Sequence, residues 1–175
     1  MSRIYVALGA NLPHPTLGPP RAVLERALEE LGARGVAIRR RSRWYRSAPV
    51  PPSGQPWFVN GVAEVASGLE PGALLTLLHD LEAGLGRVRS VPNAARIVDL
   101  DLIDWRGRVA APGDWPLLPH PRLQERAFVL LPLQELAPDW RHPVSGTAIA
   151  DLVAALPADQ QAEPIEEEGP APPPL

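Results

Sequence analysis

The fold is decided by three segments that follow one another in the chain: FVNGVAEVA (58–66), PGALLTLLHDLEAGLG (71–86) and IVDLDLI (97–103). The first segment has the composition of a strand. In the second, Pro71 begins an amphipathic helix with leucines at 74, 77, 78, 81 and 85. In the third, apolar and acidic residues alternate, which predicts another strand. The three segments therefore form a β-α-β unit.

The residues before these segments supply the other half of the pattern. Apolar residues alternate over 4–8, which predicts a first strand. Pro20 opens a helix, and Gly32 stands where its C-terminal cap is expected. The apolar stripe of this helix consists of Leu24, Ala27, Leu28 and Leu31. A further strand is expected over 36–46, and the proline-rich residues 47–56 predict an ordered loop.

The complete order is β-α-β-β-α-β, which is typical of a ferredoxin-like α+β fold. In this fold both helices cover one face of an antiparallel sheet, and we expect the other face to be free for a site. Residues 122–137 and 147–156 predict additional C-terminal helices. Residues 1–156 are interpreted as one domain. Residues 157–175, rich in proline and glutamate, are expected to be a disordered tail.

Composition excludes several classes of site. A net charge of −3 and a pI near 5.8 argue against non-specific binding to nucleic acid or to an acidic membrane. The chain has no cysteine, which excludes disulfides and thiolate sites. No apolar run has the length of a signal peptide or a membrane span, so we expect a cytoplasmic protein. All 17 basic residues are arginine, so phosphate would be bound by arginine and metal instead of a P-loop lysine.

Two acidic residues on the last strand are candidates for a metal site. The alternation over 98–102 directs Asp99 and Asp101 to one face and three apolar residues to the other. Their Cα atoms are expected about 6 to 7 Å apart, which suits two ions about 3.5 to 4 Å apart. Oxygen ligands favour magnesium. A strand whose polar face simply meets water would show the same pattern, and Asp104, which breaks the alternation, is interpreted as a turn residue.

Arginines surround these carboxylates in the sequence. Arg87 and Arg89 follow the second helix, and Arg96 precedes Asp99 by three residues. The arginine fork matches phosphate oxygens, so these residues are candidates for phosphate binding. Glu82 lies just ahead of them, and a plain network of salt bridges would explain the same residues.

An aromatic and an amide residue share one face of the strand over 58–66. Phe58 and Asn60 are two positions apart, so their side chains project in the same direction. A ring could stack on Phe58 while the Asn60 amide binds its polar edge. A core position for Phe58 is the simpler interpretation.

Six blocks of this sequence resemble the 6-hydroxymethyl-7,8-dihydropterin pyrophosphokinase family, in the order that the family has. They are ALGAN (7–11), WYRS (44–47), QPWFVN (55–60), Glu82 with GRVR (86–89), Arg96 with DLDLI (99–103), and PHPR (119–122) with RAF (126–128). The resemblance covers about residues 4–156. It implies a ferredoxin-like enzyme of folate biosynthesis that transfers pyrophosphate from ATP to the hydroxymethyl group of the pterin and releases AMP.

The resemblance also implies a role for individual residues. Asp99 and Asp101 would bind two magnesium ions and, with Arg87 and Arg96, form the catalytic set. The implied ATP-binding residues are Glu82, Arg87, Arg89, Arg96, Leu102, His120 and Arg126. The implied pterin-binding residues are Ser47, Pro49, Val50, Phe58, Asn60 and Phe128. The chain departs from the family pattern at Trp115, Leu117 and Pro121, which bears on the adenosine side.

Two other functions remain open on the residues alone. The first is a magnesium-dependent nucleotidyl- or phosphotransferase with a different acceptor. The second is a non-catalytic ferredoxin-like module that binds RNA or a ligand, which the basic and aromatic stretch RRRSRWYR (39–46) could support. Charge on a strand also prevents edge-to-edge aggregation. We expect ATP as co-substrate, the dihydropterin as acceptor, no nucleic acid or membrane partner, and a monomer.

Overall fold

The computed structural model describes residues 3–88 and 95–166. The strands within them are β1 (Ile4–Ala10), β2 (Ala37–Arg41), β3 (Tyr45–Ser47), β4 (Phe58–Ala66), β5 (Asp99–Trp105) and β6 (Ala162–Pro164). The helices are α1 (Pro20–Ala33), α2 (Pro71–Gly84), α3 (Ala127–Leu136), α4 (Ile149–Ala154) and a 3-10 turn at Leu123–Glu125. The strand order is β5-β1-β4-β3-β6, with β2 also paired to β4, and every pairing is antiparallel. The predicted α+β order β-α-β-β-α-β is confirmed.

The expected single strand over 36–46 is wrong, because the chain leaves the sheet between β2 and β3. The Ser42 hydroxyl donates to the Arg43 carbonyl (2.7 Å) and accepts from the Val62 amide (3.0 Å). Trp44 is then buried in the core at 1% exposure. Its ring lies where a Cβ on Gly61 would be, at 2.8 Å. Tertiary packing of one large ring therefore divides the strand in two.

Both helices of the β-α-β-β-α-β core begin at proline, as predicted, since proline fixes φ and lacks the N–H that a first turn leaves unpaired. The expected cap at Gly32 is wrong. Helix α1 continues to Ala33, and the chain turns at Gly35, whose φ of 85° favours glycine. Within the described ranges no helix is long and apolar enough to cross a membrane.

The sheet separates two apolar cores. On one face α1 and α2 pack against β1 and β5, with Val6, Leu8 and Leu100 among the fully buried residues. On the other face Tyr5 and Val62 pack against α3. The expectation that this second face is free is therefore wrong over most of its length. Among the described residues it is open at one end of the sheet, where Asn60 of β4, Gly9 of β1 and Asp99 of β5 lie side by side.

Asp104 is a strand residue, which corrects its interpretation as a turn residue. A bulge between β1 and β5 places it on the α3 face next to Ile103. Its carboxylate accepts hydrogen bonds from Trp140 Nε1 (2.8 Å) and from the Gly107 amide (2.9 Å). Asp104 thus connects β5 to the turn after it and to the C-terminal part of the chain.

The C-terminal part differs from the prediction in two ways, with shorter helices and an additional strand, β6. The helix predicted over 122–137 is interrupted at Arg126, and the one over 147–156 is shorter, as α4. The tail predicted from residue 157 is wrong for residues 157–166. There β6 pairs with β3, and the Ile165 amide donates to the Trp44 carbonyl (2.8 Å). The rest of the expected tail, 167–175, lies outside the described residues.

Candidate functional site

A cavity of about 640 Å³ occupies the open end of the sheet, and we call it the sheet-end cavity. Strands β1, β4 and β5 form its floor. The proline-rich loop, the residues before α3, and residues 155–160 form its walls. Five of the predicted pterin-binding residues line it, namely Pro49, Val50, Phe58, Asn60 and Phe128. Three of the predicted cationic or acidic residues also line it, namely Arg96, Asp99 and Arg126. The structure therefore brings these eight residues together. Six other predicted site residues that the structure describes are not part of the lining, namely Ser47, Glu82, Arg87, Asp101, Leu102 and His120.

Strand register places both aspartates on the face that holds the cavity. Asp99 lies opposite Gly9 and Asp101 opposite Ala7, while Leu100 between them is buried in the other core. Burial and the neighbouring charge of Asp99 raise the pKa of Asp101 to about 7, and Arg126 opposes this effect. A bound cation would stabilise the charged form of Asp101 and so offset the free-energy cost of its burial.

Two arginines hold Asp99. Nη1 of Arg87 donates to its Oδ1 at 2.9 Å, and Nη1 of Arg96 donates to its Oδ2 at 2.8 Å. The salt-bridge network that the sequence offered as an alternative interpretation is therefore present, and it is partly buried. Guanidinium groups match the geometry of phosphate oxygens, so this arginine edge beside the cavity is a candidate for phosphate binding.

Glu82 supports this edge from within the protein. Its side chain is 2% exposed, accepts a hydrogen bond from the Leu100 amide at 2.9 Å, and pairs with Arg87. The carboxylate therefore joins helix α2 to strand β5 and orients the guanidinium that reaches Asp99. These contacts are internal, so any effect of Glu82 on a nucleotide would pass through Arg87.

Leu102 can face a nucleotide only through its backbone, because its side chain is 3% exposed and lies in the core. The Leu100 amide points away from β1, toward Glu82. Alternate residues of a strand direct their backbone groups to the same side, so those of Leu102 also lie on the outer edge of β5. Arg89, the remaining predicted nucleotide residue on this side, lies outside the described residues.

Asn11 fastens the segment that carries Arg96. Its side-chain Oδ1 accepts from the backbone amide of Arg96 (2.8 Å), and its backbone amide donates to the carbonyl of Arg96 (3.0 Å). Its Nδ2 donates to the carbonyl of Pro56 (3.0 Å) in the proline-rich loop. Asn11 therefore connects the segment that carries Arg96 to the proline-rich loop. The ALGAN block was the sequence signal for this residue.

Phe58 and Asn60 have the geometry that the strand pattern predicts. The Ser47 hydroxyl donates to Oδ1 of Asn60, which leaves the amide nitrogen directed over Gly9. A Cβ at position 9 would lie 2.8 Å from that nitrogen. The chain's two phenylalanines both line the cavity. Flat apolar surfaces and one oriented amide suit a planar ring with polar edges.

His120 and Arg126 form a second group of nitrogen donors near the aspartates, and only Arg126 is cationic. Burial and the Arg126 charge lower the pKa of His120 to about 4, so the ring is neutral at pH 7. Its Nδ1 accepts from the Arg122 amide (3.2 Å), which leaves Nε2 as the protonated atom. Burial also lowers the pKa of Arg126, and Asp101 opposes that shift. Arg126 stays charged and stacks 5.5 Å from the Phe128 ring centroid.

The residues that depart from the family pattern lie on the surface. Trp115 and Leu117 are both more than half exposed, and Trp115 lies 6.2 Å from the His79 ring. Neither residue lines the sheet-end cavity.

The donor set suits magnesium. In the described part of the chain no three histidine or acidic residues cluster as a ready-made metal site. Asp99 and Asp101 supply carboxylate oxygens alone, and magnesium is commonly held by one or two carboxylates together with water and substrate phosphates.

Sequence reasoning missed several cavity residues, among them Arg122, Gln124 and Gln160. Arg122 lies in a block quoted for the family resemblance, so its position could have been inferred. Gln124 and Gln160 also line the cavity, and no motif marks either of them.

Comparisons with known proteins agree with this geometry. A family model described as 7,8-dihydro-6-hydroxymethylpterin-pyrophosphokinase (HPPK) matches residues 5–138. The 2-amino-4-hydroxy-6-hydroxymethyldihydropteridine pyrophosphokinase of Pseudomonas aeruginosa is 40% identical to this chain. The match covers 90% of this chain and 93% of that protein. The protein of the same name from Methylorubrum extorquens is 36% identical, with 89% of this chain and 94% of that protein covered.

Longer proteins match as well. The folic acid synthesis protein fol1 of Pneumocystis carinii is 34% identical over 93% of this chain, which spans only 21% of that protein. A crystal structure of Plasmodium falciparum HPPK-DHPS superposes with a TM-score of 0.66 at 12% identity, covering 87% of this chain and 45% of the other. That likeness bears on the fold, which is ferredoxin-like as predicted. By the family match and by its full-length bacterial relatives, this chain belongs to the 7,8-dihydro-6-hydroxymethylpterin-pyrophosphokinase family.

Proposed function

We propose that this chain transfers the β,γ-pyrophosphoryl group of ATP to the hydroxymethyl oxygen of 6-hydroxymethyl-7,8-dihydropterin, with release of AMP, in folate biosynthesis. One observation carries the proposal: a single cavity holds an aromatic and amide pocket together with Asp99 and Arg96, and Arg87 binds the same carboxylate. The pocket suits the acceptor ring, and the charged residues suit a metal-bound triphosphate. The family and the names of its members agree.

The acceptor end orients the pterin. Phe58 and Phe128 would hold the ring between them, and Asn60, fixed by Ser47, would bind its polar edge. Pro49 and Val50 complete the wall of the pocket. A ring held in this way directs its hydroxymethyl group toward Asp99, because Asn60 and Asp99 both lie beside Gly9 in the sheet.

The donor end binds and neutralises the triphosphate. Arg87, Arg96 and Arg126 would bind phosphate oxygens, with neutral His120 as a hydrogen-bond donor through Nε2. Two magnesium ions held by Asp99 and Asp101 would supply electrostatic stabilisation of the transferred group. The hydroxymethyl oxygen releases its proton and forms the new bond to the β-phosphorus, and the bond from that phosphorus to the α,β-bridging oxygen breaks as AMP leaves. Positioning and charge account for most of the catalysis in such transfers.

The competing function as an RNA-binding module has little support in the structure. In the stretch over 39–46, Trp44 and Tyr45 are buried, and Arg43 pairs with Glu135 at 2.7 Å. Aromatic rings must be exposed to stack on bases. We therefore propose that neither nucleic acid nor membrane is a partner. A monomer, a cytoplasmic location and one domain formed by the described fold complete the proposal.

The decisive experiment measures the nucleotide product. The full chain, incubated with ATP, magnesium and the dihydropterin, should release AMP in equal amounts to pterin diphosphate, as separated by anion-exchange chromatography. Release of ADP would contradict the proposal. AMP formed without the pterin would favour a nucleotidyl- or phosphotransferase with another acceptor.

A substitution under the Asn60 amide should weaken the acceptor end alone. Gly9→Ala places a methyl group 2.8 Å from Nδ2 of Asn60, so the amide must move away from the orientation that Ser47 fixes. We expect the KM for the pterin to rise about tenfold, the value of one good hydrogen bond, while the KM for ATP changes little. Steady-state kinetics with each substrate varied in turn measure both constants.

The matched control for this prediction is Gly32→Ala on α1, where an added Cβ meets nothing within 4 Å. This variant should keep both constants. An unchanged pterin KM in Gly9→Ala would show that the Asn60 amide does not bind the pterin edge.

A further inference from the structure

Gln160 makes two hydrogen bonds that span one residue of the cavity wall. Its Oε1 accepts from the amide of Ala127 at 2.8 Å, and its Nε2 donates to the carbonyl of Glu125 at 2.6 Å. The residue between these two backbone groups is Arg126. The side-chain amide thus bonds to the backbone on both sides of Arg126, as a neighbouring strand would.

The backbone groups of Arg126 itself bond locally, since its amide donates to the Leu123 carbonyl at 3.3 Å and its carbonyl accepts from the Val129 and Leu130 amides at 3.0 and 2.9 Å. The groups on either side of it, the Glu125 carbonyl and the Ala127 amide, are the ones that Gln160 binds. Arg126 has extended dihedrals, φ −118° and ψ 106°, between the 3-10 turn and α3. It is the N-cap of α3, yet it makes no side-chain cap hydrogen bond. The first amides of a helix lack partners within the helix. The first amide of α3 belongs to Ala127, and Gln160, 33 positions further along the chain, supplies its hydrogen-bond acceptor.

The segment around Gln160 is itself fixed to the opposite wall. The carbonyl of Gln161 accepts from the amide of Ala48 at 3.0 Å, at the start of the proline-rich loop. Beyond it β6 pairs with β3, with Ser47 opposite Ala162. Residues 160 and 161 therefore tie the wall that carries Arg126 to the wall that begins at Ser47. This segment lies beyond the residues that the family model matches, 5–138.

We propose that Gln160 is a positioning residue: it fixes the backbone on both sides of Arg126 and thereby sets where the Arg126 guanidinium enters the sheet-end cavity. The inference rests on the proposed function, because it assigns Arg126 to the triphosphate. Gln160 need not touch either substrate for this role. A shift of about 1 Å in a positioning group can cost a hundredfold in rate, so a fixed backbone at Arg126 has a measurable value.

The test compares two neighbouring glutamines. Gln160→Met keeps the length of the side chain and removes both hydrogen bonds. Gln161→Met is the control, because the Gln161 side chain is exposed and makes no hydrogen bond to any residue in 3–88 or 95–166, while its backbone carbonyl is retained. We expect kcat/KM for ATP to fall about tenfold in Gln160→Met and to stay within twofold in Gln161→Met. Thermal denaturation should confirm that both variants are folded.

A double-mutant cycle separates positioning from general loss of structure. If Gln160 acts through Arg126, then Gln160→Met should lower kcat/KM less than twofold when Arg126→Ala is already present. Hydrogen exchange gives a readout that needs no activity: the Ala127 amide should exchange at least about tenfold faster in Gln160→Met. Equal losses in the two backgrounds, or full activity together with faster exchange at Ala127, would overturn the proposal.

The proposed function can fail separately. If the wild-type chain binds ATP but releases no AMP, the same cycle is measured as affinity for a non-hydrolysable ATP analogue with magnesium, by calorimetry. A non-additive loss of affinity would then support the role of Gln160. Additive losses would overturn it, and a wild-type chain that does not bind the analogue would overturn both proposals.

Discussion

Replacing Asp99 or Asp101 with asparagine is expected to lower kcat by about a hundredfold to a thousandfold, the range found when a group that stabilises transition-state charge is removed. Asparagine keeps the shape of the side chain and removes the charge that would hold magnesium. At position 99 the change also removes the carboxylate that draws Arg87 and Arg96 together. The substitution at position 99 therefore affects both magnesium binding and the position of the two arginines.

Pterin-dependent AMP release over a range of magnesium concentrations measures this effect. Asp80→Asn is the control, because it makes the same chemical change at an exposed position of α2 and should keep full activity. If either Asp99→Asn or Asp101→Asn turned over at the wild-type rate in saturating magnesium, the aspartates would not be the metal ligands.

The two variants should differ in stability. Burial and Asp99 raise the pKa of Asp101, so its charged form is disfavoured in the metal-free protein. Asp101→Asn removes that charge and should leave the free energy of unfolding unchanged or higher, as is often seen when a strained functional residue is replaced. Asp99→Asn removes two ion pairs and should be less stable than the wild type. Urea denaturation without magnesium compares them.

Glu82→Ala is expected to have the largest effect on stability, with a loss of about 3 to 5 kcal/mol, the range for breaking a buried ion pair by removing one of its members. The substitution leaves Arg87 without its buried carboxylate and leaves the Leu100 amide without an acceptor. Strand β5 then loses a link to α2 at the point where it carries both aspartates. We expect weaker ATP binding as well, because Arg87 is no longer oriented toward Asp99.

Chemical denaturation and calorimetric ATP binding measure these two losses. Glu82→Gln should be intermediate, because an amide oxygen can still accept from Leu100 while the charge opposite Arg87 is lost. Glu29→Ala, at an exposed position of α1, should change stability by less than about 0.5 kcal/mol. A stable Glu82→Ala variant would mean that the contacts of Glu82 contribute little to β5.

Local periodicity was sufficient to predict a strand and its buried residues where one face of the element is buried. The alternation over 98–102 predicted which residues of β5 enter the core, and the structure places Leu100 there and Asp99 beside the cavity. Prolines at 20 and 71 marked the helix starts for a similar reason, since their effect on φ acts within the residue.

Features that depend on distant residues could not be predicted in this way. The break between β2 and β3 depends on Trp44 packing over Gly61, and neither residue shows this in its own neighbourhood. The closed α3 face depends on how a helix after β5 folds back onto Val62. The proline-rich composition from residue 157 suggested disorder, because a compositional rule does not register three residues that pair with an available strand edge.

The site shows the same division. Asp99, Arg87 and Arg96 were found because they are close in sequence and because their blocks resemble a family. Gln160 was missed because its two partners, Glu125 and Ala127, are more than thirty positions away and are backbone groups, which carry no sequence signal.

The position of β6 also bears on the order in which the protein acquires activity during synthesis. Its partner, β3, leaves the ribosome more than a hundred residues earlier, so the sheet from β5 to β3 can form before residues 157–166 are available. The nascent chain would then hold a folded core with an unfinished cavity, since Gln160 has not yet reached Arg126. Competence to bind both substrates would arrive as a late, separate event, after the core has already become resistant to unfolding.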